Sequence, residues 1–450
     1  MSLYNKVSRK LILPLSDFVL GNSISKQLDF LEKSQWWPES HLLAFQEERL
    51  QLLIKHVYEY VPFYREHFDR IKLKPVDIKR AKDLNKIPVI NKGDIRKIPS
   101  KKFLSTYFPA AKLKRMITSG STGQPFQFYI NNDAYSMWVA KGIRGWQWMG
   151  YQLGDSYAKL SQNPRQGFTK KAQDILNRSR YLFIEHLSEK HYEKVCAELS
   201  KYNPDFIRCY PDPLLFLAKY ILINNIKGIN PKAINTTGNI LYPEAREIIE
   251  KAFKAPVYDS YSCEGGPIVS QAPGRDVYLS SMEYAISEYL TDDGNDAANE
   301  VPGRLITTDL WNFANPLIRY DTQDLLVKTN QKPECGRQLE AVKQILGRDS
   351  DVLITPDGRM VIVHIFTIYF EWKDSIDQFQ VRQHNETDFE IYLKVNKAFS
   401  LKEEKEIYKY WQLYFGKDAK LKLSIVDSIP ASPSGKRKFL IRDNKIELKL

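Results

Sequence analysis

The sequence predicts an α/β protein: a large N-terminal α/β region with stacked sheets and an added β layer, followed by a small α+β C-terminal domain. Strand and helix patterns alternate between Tyr181 and Asn225, which is typical of parallel strands joined by helices. Gly303–Thr308 and Pro316–Tyr320 read as paired strands of the β layer. Gly347–Asp351 is polar and turn-forming, so we place a domain boundary there and predict domains 1–350 and 351–450.

The elements follow from periodicity and from chain breakers. Apolar residues recur at three- and four-residue steps from His41 to Val61, which predicts a helix that Pro62 ends. Lys72–Lys102 is basic and interrupted by prolines, so we expect short connecting helices and turns there. Phe126–Ile130 predicts a strand, and Asp133–Met149 predicts a helix whose three tryptophans are expected to fill the core.

Two consecutive strand patterns end in polar residues. Ala233–Gly238 runs into a small polar turn, an amphipathic helix covers Pro243–Phe253, and Val257–Tyr261 forms the next strand. Ligands of such sheets usually bind at the carboxyl ends of the strands. The sequence therefore predicts a ligand site at this edge.

The stretch Thr118–Pro125 places four hydroxyls and two glycines between two apolar runs. Glycines allow backbone N–H groups to turn toward an anion, and Ser119, Ser121 and Thr122 add hydroxyl donors. In isolation such a run is more often a plain surface turn. The other nucleotide-binding patterns, such as G-x-x-x-x-G-K-[ST] or G-x-G-x-x-G, do not occur in the sequence. We interpret the stretch as a polyphosphate-binding loop between two strands.

Composition indicates a globular protein with reduced cysteines. The chain has 450 residues, 43% of them hydrophobic and 27% charged. Its 4 cysteines include no C-x-x-C pair, and its 7 histidines show no metal-type spacing, which argues against disulfides and zinc. Any metal is therefore expected to be bound by carboxylates and substrate phosphates.

The net charge of +12 is dispersed along the chain, which argues against nucleic acid as a partner. An anionic substrate or an anionic membrane surface fits the charge equally well. The apolar run that follows Lys6, Arg9 and Lys10 imitates a signal peptide, but Pro14 and Asp17 interrupt it. We expect this segment to pack on the core, and a shallow contact with the membrane interface is the alternative.

Several segments, taken in order, resemble the adenylate-forming ligases, and more closely the branch with phenylacetate–CoA ligases and CapK-type polysaccharide biosynthesis proteins. The resemblance covers nearly the whole chain. It rests on His56–Arg65, Ile87–Lys92, Thr118–Pro125, Asn203–Asp205, Tyr210–Pro211, Tyr261–Gly265, Pro316–Asp324, Gly347–Asp351 and Pro433–Lys436. The family often has a lysine just after the proline of its phosphate loop, whereas Phe126 and Gln127 follow here, so the phosphates are expected to depend more on backbone and on other basic residues.

The resemblance implies a nucleotide site. The β- and γ-phosphates of ATP would be held by Ser119, Gly120, Ser121, Thr122 and Gly123. Adenine would lie against Tyr261 and against the turn of Thr237, Gly238 and Asn239. Asp324 would accept both ribose hydroxyls, for which a carboxylate is the natural partner, and Arg348 would assist at the ribose or phosphate.

The resemblance also implies the catalytic parts. Glu264 would hold Mg²⁺, and Lys436 would reach from the small domain to the reacting carboxylate and the α-phosphate, with Thr122 as a further catalytic group. Asp351 matches the hinge about which the small domain rotates, so the resemblance implies that this domain is mobile. Selectivity is expected to be set by residues from Trp138 to Tyr157 and near Tyr210.

The implied activity is that of an ATP-dependent ligase, which activates a small carboxylic acid as acyl-AMP and transfers the acyl group to a thiol, amine or sugar. A role in surface-polysaccharide biosynthesis is the first interpretation, and an acyl- or aryl-CoA ligase that uses coenzyme A is the second. A non-catalytic scaffold or polyanion-binding protein of the same fold is the third. We expect a cytoplasmic monomer or dimer, with a peripheral contact at the inner membrane surface as an alternative.

Overall fold

The computed structural model describes residues 2–118, 126–161, 173–184, 189–348, 352–363, 366, 369–370, 373, 375–429 and 439–443. The helices include α1 (Leu3–Val7), α2 (Leu13–Leu20), α3 (Ile24–Ser34), α4 (Glu39–Tyr60), α5 (Pro62–Arg70), α6 (Lys92–Lys97), α7 (Ser100–Phe103), α8 (Asn132–Gln147), α9 (Glu189–Tyr202), α10 (Pro211–Ile223), α11 (Pro243–Phe253) and α12 (Leu401–Phe415). A π-helical turn, Ser8–Ile12, joins α1 to α2.

The strands of the N-terminal region include β1 (Ile90–Asn91), β2 (Lys114–Thr118), β3 (Phe126–Ile130), β4 (Tyr157–Ser161), β5 (Ser179–Phe183), β6 (Phe206–Cys209), β7 (Ala233–Thr237), β8 (Val257–Ser262), β9 (Ile268–Gln271), β10 (Tyr278–Ser280), β11 (Ala285–Leu290), β12 (Pro302–Asp309), β13 (Tyr320–Thr329) and β14 (Ala341–Arg348). After them come β15 (Val352–Ile354), β16 (Met360–Ile362), β17 (Ile376–Gln383), β18 (Asp388–Val395), β19 (Lys420–Ile425) and β20 (Leu440–Arg442).

One large sheet joins the parallel and antiparallel parts of the N-terminal region. Among the described strands its order is β11-β12-β13-β14-β10-β9-β8-β7-β6-β4-β5, with β1 paired to β13. Strands β4 to β8 run parallel to one another, as the alternating strand and helix patterns predict. The antiparallel strands β9 and β10 connect them to the β layer, so hydrogen bonding is continuous between the two parts.

Helices cover both faces of the parallel strands. On one face, α9, α10 and α11 pack on β4 to β8 around residues such as Leu199, Leu214, Ile249 and Val257, which are fully buried. On the other face, α8 crosses β9 so closely that a Cβ on Gly145 would lie 2.8 Å from the Ser270 hydroxyl. The expected helix that ends before Pro62 is α4.

The second strand of the predicted pair in the β layer starts later than the sequence suggested. The prediction of a strand at Pro316–Tyr320 is wrong for its first four residues, because β13 begins only at Tyr320. Arg319 has a φ of 47°, which interrupts extended backbone, and its carbonyl accepts a hydrogen bond from the Ile90 N–H at 3.0 Å. Its guanidinium forms an ion pair with Glu288 at 2.8 Å, which fixes the start of β13.

The C-terminal part has its own sheet and core. The described strands are ordered β19-β18-β17-β20, and α12 connects β18 to the parallel strand β19. A capping box formed by Ser400 and Glu403 begins α12. Trp411 and Phe415 on this helix stack at 3.9 Å between ring centroids and pack on Phe389. The part after residue 351 thus has the predicted α+β character, while the exact boundary stays a prediction.

The N-terminal segment packs through its polar residues. Asn5 is buried and donates to Asp155 at 2.7 Å, and Asp17 is buried and accepts from the Ser25 hydroxyl at 2.7 Å. The large apolar residues on the opposite side are exposed, which contradicts the expectation that they pack on the core: Leu3, Leu11, Leu15, Phe18, Val19 and Leu20. In the part of the chain that the structure describes, no helix is both long enough and apolar enough to span a bilayer.

Candidate active site

Three residues predicted to bind the nucleotide lie together at the carboxyl end of β8. The Tyr261 hydroxyl donates a hydrogen bond to Asp324 Oδ2 at 2.6 Å. Arg348 is the cross-strand partner of Asp324, and its Nε lies 3.8 Å from Asp324 Oδ1. The Asp324 side chain is only 14% exposed. The site therefore presents a nearly buried carboxylate whose orientation is fixed from both sides.

Protonation in this cluster follows from burial. Burial, followed by the negative charge of Asp324 and the nearby Cys263 thiol, raises the pKa of Tyr261 well above its usual value. Burial likewise raises the pKa of Cys263, so the thiol stays protonated at neutral pH. Tyr261 is thus a stable hydrogen-bond donor, which leaves Asp324 as the acceptor.

The backbone around Asp324 forms a tight turn. Gln323 has a φ of 63°, and its N–H donates to Asp321 Oδ1 at 2.8 Å. The Asp324 N–H donates to the Thr322 hydroxyl at 3.2 Å, and that hydroxyl donates to the Leu305 carbonyl at 2.9 Å. This turn projects the Asp324 carboxylate toward Tyr261 rather than along β13.

The predicted adenine turn lies next to the same cluster. It consists of Thr237, Gly238 and Asn239, follows β7, and is half-buried or exposed. Gly238 has a φ of 88°, and a Cβ there would lie 2.6 Å from the Tyr210 ring, so only glycine fits. Ile240, just after the turn, packs against Gly347 of β14. A Cβ on Gly347 would lie only 2.6 Å from the Ile240 Cδ1 atom. The turn and Arg348 are thereby held close to each other.

Glu264 lies on the loop after β8, and a buried lysine supports this loop. Glu264 is half-buried. Lys141 on α8 is fully buried and donates from Nζ to the Gly266 carbonyl at 2.7 Å. Its Nζ also lies 3.2 Å from the centre of the Tyr284 ring. Burial, opposed by the charge of Asp309, lowers the pKa of Lys141 to about 7.

Lys141 was not predicted as a site residue, although the sequence carries a signal for it. The buried face of α8 is formed by residues spaced three and four apart: Ala134, Met137, Ala140, Lys141 and Arg144. A lysine and an arginine on such a face need buried partners. Arg144 finds its partner in Glu283, with 2.6 Å between Nη1 and Oε1, and both side chains are buried.

A cavity of about 180 Å³ opens at the carboxyl ends of β4, β6, β7 and β8. Its described lining comprises Lys159, Leu160, Ser161, Arg208, Cys209, Tyr210, Thr237, Gly238 and Ser262. The predicted selectivity residue Tyr210 is therefore part of the wall. Trp146 and Tyr157, from the other predicted region, line a much smaller apolar space on the far side of Arg208.

The remaining predicted residues lie outside the described ranges. They are Ser119, Gly120, Ser121, Thr122, Gly123, Asp351 and Lys436. The strands that flank the phosphate loop, β2 and β3, do pair antiparallel, with Thr118 opposite Phe126, as the predicted arrangement requires. Within the described residues, no group of three or more His, Cys, Asp and Glu side chains is arranged to hold a metal ion.

Known proteins resemble this chain in sequence and in fold. Residues 353–443 match the family model of the CapK C-terminal domain. Protein CapK of Staphylococcus aureus is 27% identical over 423 residues, which cover 90% of each chain. Phenylacetate-coenzyme A ligase of Thermus thermophilus is 25% identical over 380 residues, covering 80% of this chain and 83% of that protein.

The crystal structure of a 2-hydroxyisobutyryl-CoA ligase, in the postadenylation state with R3-HIB-AMP, matches with a TM-score of 0.70 at 19% identity. The match covers 92% of this chain and 93% of that ligase. The chain therefore has the adenylate-forming ligase fold. The resemblance to adenylate-forming ligases, in the branch of phenylacetate–CoA ligases and CapK-type proteins, is confirmed.

Proposed function

We propose that this protein is an ATP-dependent, adenylate-forming ligase that converts a carboxylic acid into an acyl-AMP, releases pyrophosphate and transfers the acyl group to an acceptor. The observation that carries the proposal is the cluster of Tyr261, Asp324 and Arg348 beside the turn at Gly238. A buried carboxylate oriented by a tyrosine hydroxyl is an acceptor that suits the two vicinal hydroxyls of a ribose.

The chemistry asks the protein mainly to position two anions that repel each other. Asp324 would fix the ribose, and the Tyr261 ring would lie against adenine while its hydroxyl stays engaged with Asp324. The N–H groups and hydroxyls of residues 119–123, including Thr122, would bind the β- and γ-phosphates. Lys436 would donate to the oxygen that develops charge during attack on the α-phosphate. Rotation about Asp351 would bring Lys436 to the site and later remove it.

Glu264 fits a magnesium site. Mg²⁺ prefers oxygen ligands and is usually held by one or two carboxylates together with substrate phosphates, so a single half-buried carboxylate on the β8 loop is sufficient. When bound, the ion would neutralise charge on the phosphates. The contact between Lys141 and the Gly266 carbonyl fixes the loop on which Glu264 lies.

The proposal includes an acceptor in surface-polysaccharide biosynthesis, namely a sugar-linked amine or hydroxyl. It is supported by the CapK C-terminal domain at residues 353–443 and by the 90% coverage of CapK. Transfer to coenzyme A is the second candidate, supported by the similarity to phenylacetate-coenzyme A ligases. The two candidates share the first half-reaction and differ in the second.

The test is carboxylate-dependent ATP–pyrophosphate exchange over a panel of aryl acids, amino acids and sugar acids. Exchange with at least one acid is expected, and its absence with every acid despite ATP binding would contradict the proposal. AMP release is then measured with and without coenzyme A, and the product is identified by mass. Stoichiometric acyl-CoA at substantial turnover would exclude direct transfer to a sugar, whereas adenylate discharged only by an amino sugar would support it.

We also propose that the N-terminal segment, residues 3–20, contacts the surface of an anionic membrane on the cytoplasmic side. Its polar residues Asn5 and Asp17 anchor it to the protein, while its apolar side, with Phe18 86% exposed, faces outward. Lys6 and Lys10 are exposed beside that apolar side. Apolar side chains flanked by lysines suit an interface with anionic lipids. The net charge of +12 disfavours a second copy of the chain as the occupant.

A further inference from the structure

The direction of the Glu264 carboxylate depends on the backbone that carries it. Glu264 is half-buried, and among the described residues it forms no hydrogen bond and no ion pair. Burial and, to a smaller extent, the charge of Glu264 raise the pKa values of its neighbours Cys263 and Tyr320, so both are neutral at neutral pH. No opposite charge in the described part of the chain therefore holds this carboxylate in place.

Glu264 is the second residue of a tight turn that begins the loop between β8 and β9. The Gly266 N–H donates to the Cys263 carbonyl at 3.4 Å, and Gly265 has a φ of 62°. A Cβ on Gly265 would lie 2.6 Å from Leu317 Cδ1, and a Cβ on Gly266 would overlap the sulfur atom inside the turn. Because the turn is this compact, a shift of its last residue would move the Glu264 side chain.

Lys141 holds the last residue of the turn. Its Nζ donates to the Gly266 carbonyl at 2.7 Å and lies 3.2 Å from the centre of the Tyr284 ring. That ring is itself fixed, since the Tyr284 hydroxyl donates to Asp309 Oδ2 at 2.8 Å. The helix α8, which carries Lys141, packs closely on β9 at Gly145. Lys141 therefore ties the turn to rigid parts of the fold.

A lysine at this position is costly to the fold. Lys141 is 1% exposed, and within the described ranges it forms no ion pair. A methionine would fill a similar space without the desolvation of an ammonium. Burial, opposed by the charge of Asp309, lowers the pKa of Lys141 to about 7, so ammonium and amine are both present near neutral pH. Either form has an N–H for the Gly266 carbonyl, and an apolar side chain has none.

We propose that Lys141 is a positioning residue for magnesium: by holding the Gly266 carbonyl it directs the Glu264 carboxylate, and it thereby sets the affinity of the site for Mg²⁺ bound together with ATP. This inference rests on the proposed function and assigns control of its metal affinity to a residue behind the ligand. Groups that orient a metal ligand from behind commonly change metal affinity by about 10- to 100-fold when they are removed.

The experiment measures how strongly Mg²⁺ assists ATP binding in the full-length protein. Calorimetric titrations with ATP are made with excess Mg²⁺ and with EDTA, and the ratio of the two Kd values reports the metal. Lys141→Met and Lys141→Leu remove the donor, Lys141→Arg keeps it, and Glu264→Gln removes the ligand alone or together with Lys141→Met. Thermal melting checks that each variant folds.

Met137→Ala is the matched control. Met137 is fully buried one turn before Lys141 on α8 and packs toward α3 rather than on the turn. This variant weakens the core around the same helix and leaves the contact with Gly266 in place. Once a substrate acid is known, pyrophosphate exchange adds a second readout, because it separates the half-saturating concentration of Mg²⁺ from the maximal rate.

The wild type is expected to bind ATP about tenfold more tightly, or better, with Mg²⁺ than with EDTA. Both apolar variants of Lys141 should lose most of this preference, while their Kd for ATP in EDTA stays within about twofold. Lys141→Arg should keep part of the preference, and Met137→Ala should keep all of it despite a lower melting temperature. In pyrophosphate exchange, Lys141→Met should need about tenfold more Mg²⁺ for half-saturation, with a maximal rate within about twofold of the wild type.

The double variant tests whether the lysine acts through the carboxylate. If it does, adding Lys141→Met to Glu264→Gln should cause no further loss of the preference for Mg²⁺. Additive losses would overturn the inference, because Lys141 would then act independently of Glu264.

Three further results would overturn the inference: no preference for Mg²⁺ in the wild type, the wild-type preference in both apolar variants, or an equal loss in Met137→Ala. A rise in the Kd for ATP in EDTA as large as the rise with Mg²⁺ would overturn it too, since Lys141 would then act on the nucleotide. Absence of pyrophosphate exchange with every acid would instead refute the proposed function, and a preference for Mg²⁺ that depends on Lys141 would stand.

Discussion

Replacing Asp324 by alanine tests the ribose site directly. Asp324 Oδ2 accepts from Tyr261 at 2.6 Å, and Oδ1 is 3.8 Å from Arg348. The proposal assigns both ribose hydroxyls to this carboxylate. Hydrogen bonds to a buried charged acceptor contribute about 1.5–3 kcal/mol each, and part of that is offset by desolvation. Loss of the pair should therefore weaken ATP binding by about 2–4 kcal/mol, which is roughly 30- to 700-fold in Kd.

The chain offers a matched control on the same strand. Asp321 is 13% exposed and lies 3.8 Å from Arg304, which is nearly the same environment as that of Asp324 with Arg348. Asp321→Asn removes one negative charge, keeps an acceptor for the Gln323 N–H and touches no proposed ribose contact. Its effect on the Kd for ATP should be small. Any effect common to both variants is then structural.

Calorimetric titrations with ATP and with 2′,3′-dideoxy-ATP separate hydroxyl recognition from other contacts. The wild type and Asp321→Asn should both prefer ATP, and Asp324→Ala should bind the two nucleotides equally, because the group that distinguishes them is gone. If Asp324→Ala binds ATP as the wild type does, or keeps its preference over the dideoxy compound, the ribose assignment is wrong.

Further predictions concern other parts of the molecule. Lys436→Ala should slow adenylate formation by about a hundredfold or more, roughly 3 kcal/mol, while ATP binding persists; wild-type pyrophosphate exchange would refute its role. For Lys141, burial lowers the pKa to about 7, so the unfolded chain binds the proton more tightly. The free energy of unfolding of the wild type, relative to that of Lys141→Met, should therefore rise with pH above about 7. Chemical denaturation at pH 6.5 and at pH 9.5 measures this difference, and the same difference at both pH values would contradict the prediction. Phe18→Asp should reduce flotation with phosphatidylglycerol-containing vesicles about tenfold or more. Ile223→Asp is the control, because Ile223 is 80% exposed and lies outside the N-terminal segment. If the wild type instead forms a concentration-dependent dimer that Phe18→Asp does not form, the apolar side mediates self-association.

The edge of the sheet that carries the candidate site could be predicted, because two consecutive strand patterns end in polar residues. The strand β7 with its glycine turn, the helix α11 and the strand β8 all appear within a few residues of their predicted bounds. Asp324 and Arg348 are distant in sequence, but each lies on a strand of the β layer, and the fold pairs them in register. Local patterns were sufficient for β7 and β8, because the carboxyl ends of parallel strands meet at one edge, whereas Asp324 and Arg348 were assigned only through the family resemblance.

Other features could not be predicted from local patterns. The late start of β13 depends on the left-handed backbone of Arg319, whose guanidinium is held by Glu288 from another strand. The outward-facing apolar residues of the N-terminal segment depend on where Asn5 finds its partner Asp155, 150 residues away. In both cases a long-range polar contact overrides the local apolar pattern, and such contacts leave no periodic signal.

The order of strands determines which side chains share the wall of the 180 Å³ cavity. Strand β4 lies between β5 and β6 rather than in chain order, so Lys159 has Tyr181 on one side and Arg208 on the other. Had the strands followed chain order, β5 would separate the two cations, and the cavity would present a tyrosine between them. The pairing of β4 with β6 brings the charges together without any change in sequence. The composition of the cavity wall is therefore a consequence of topology.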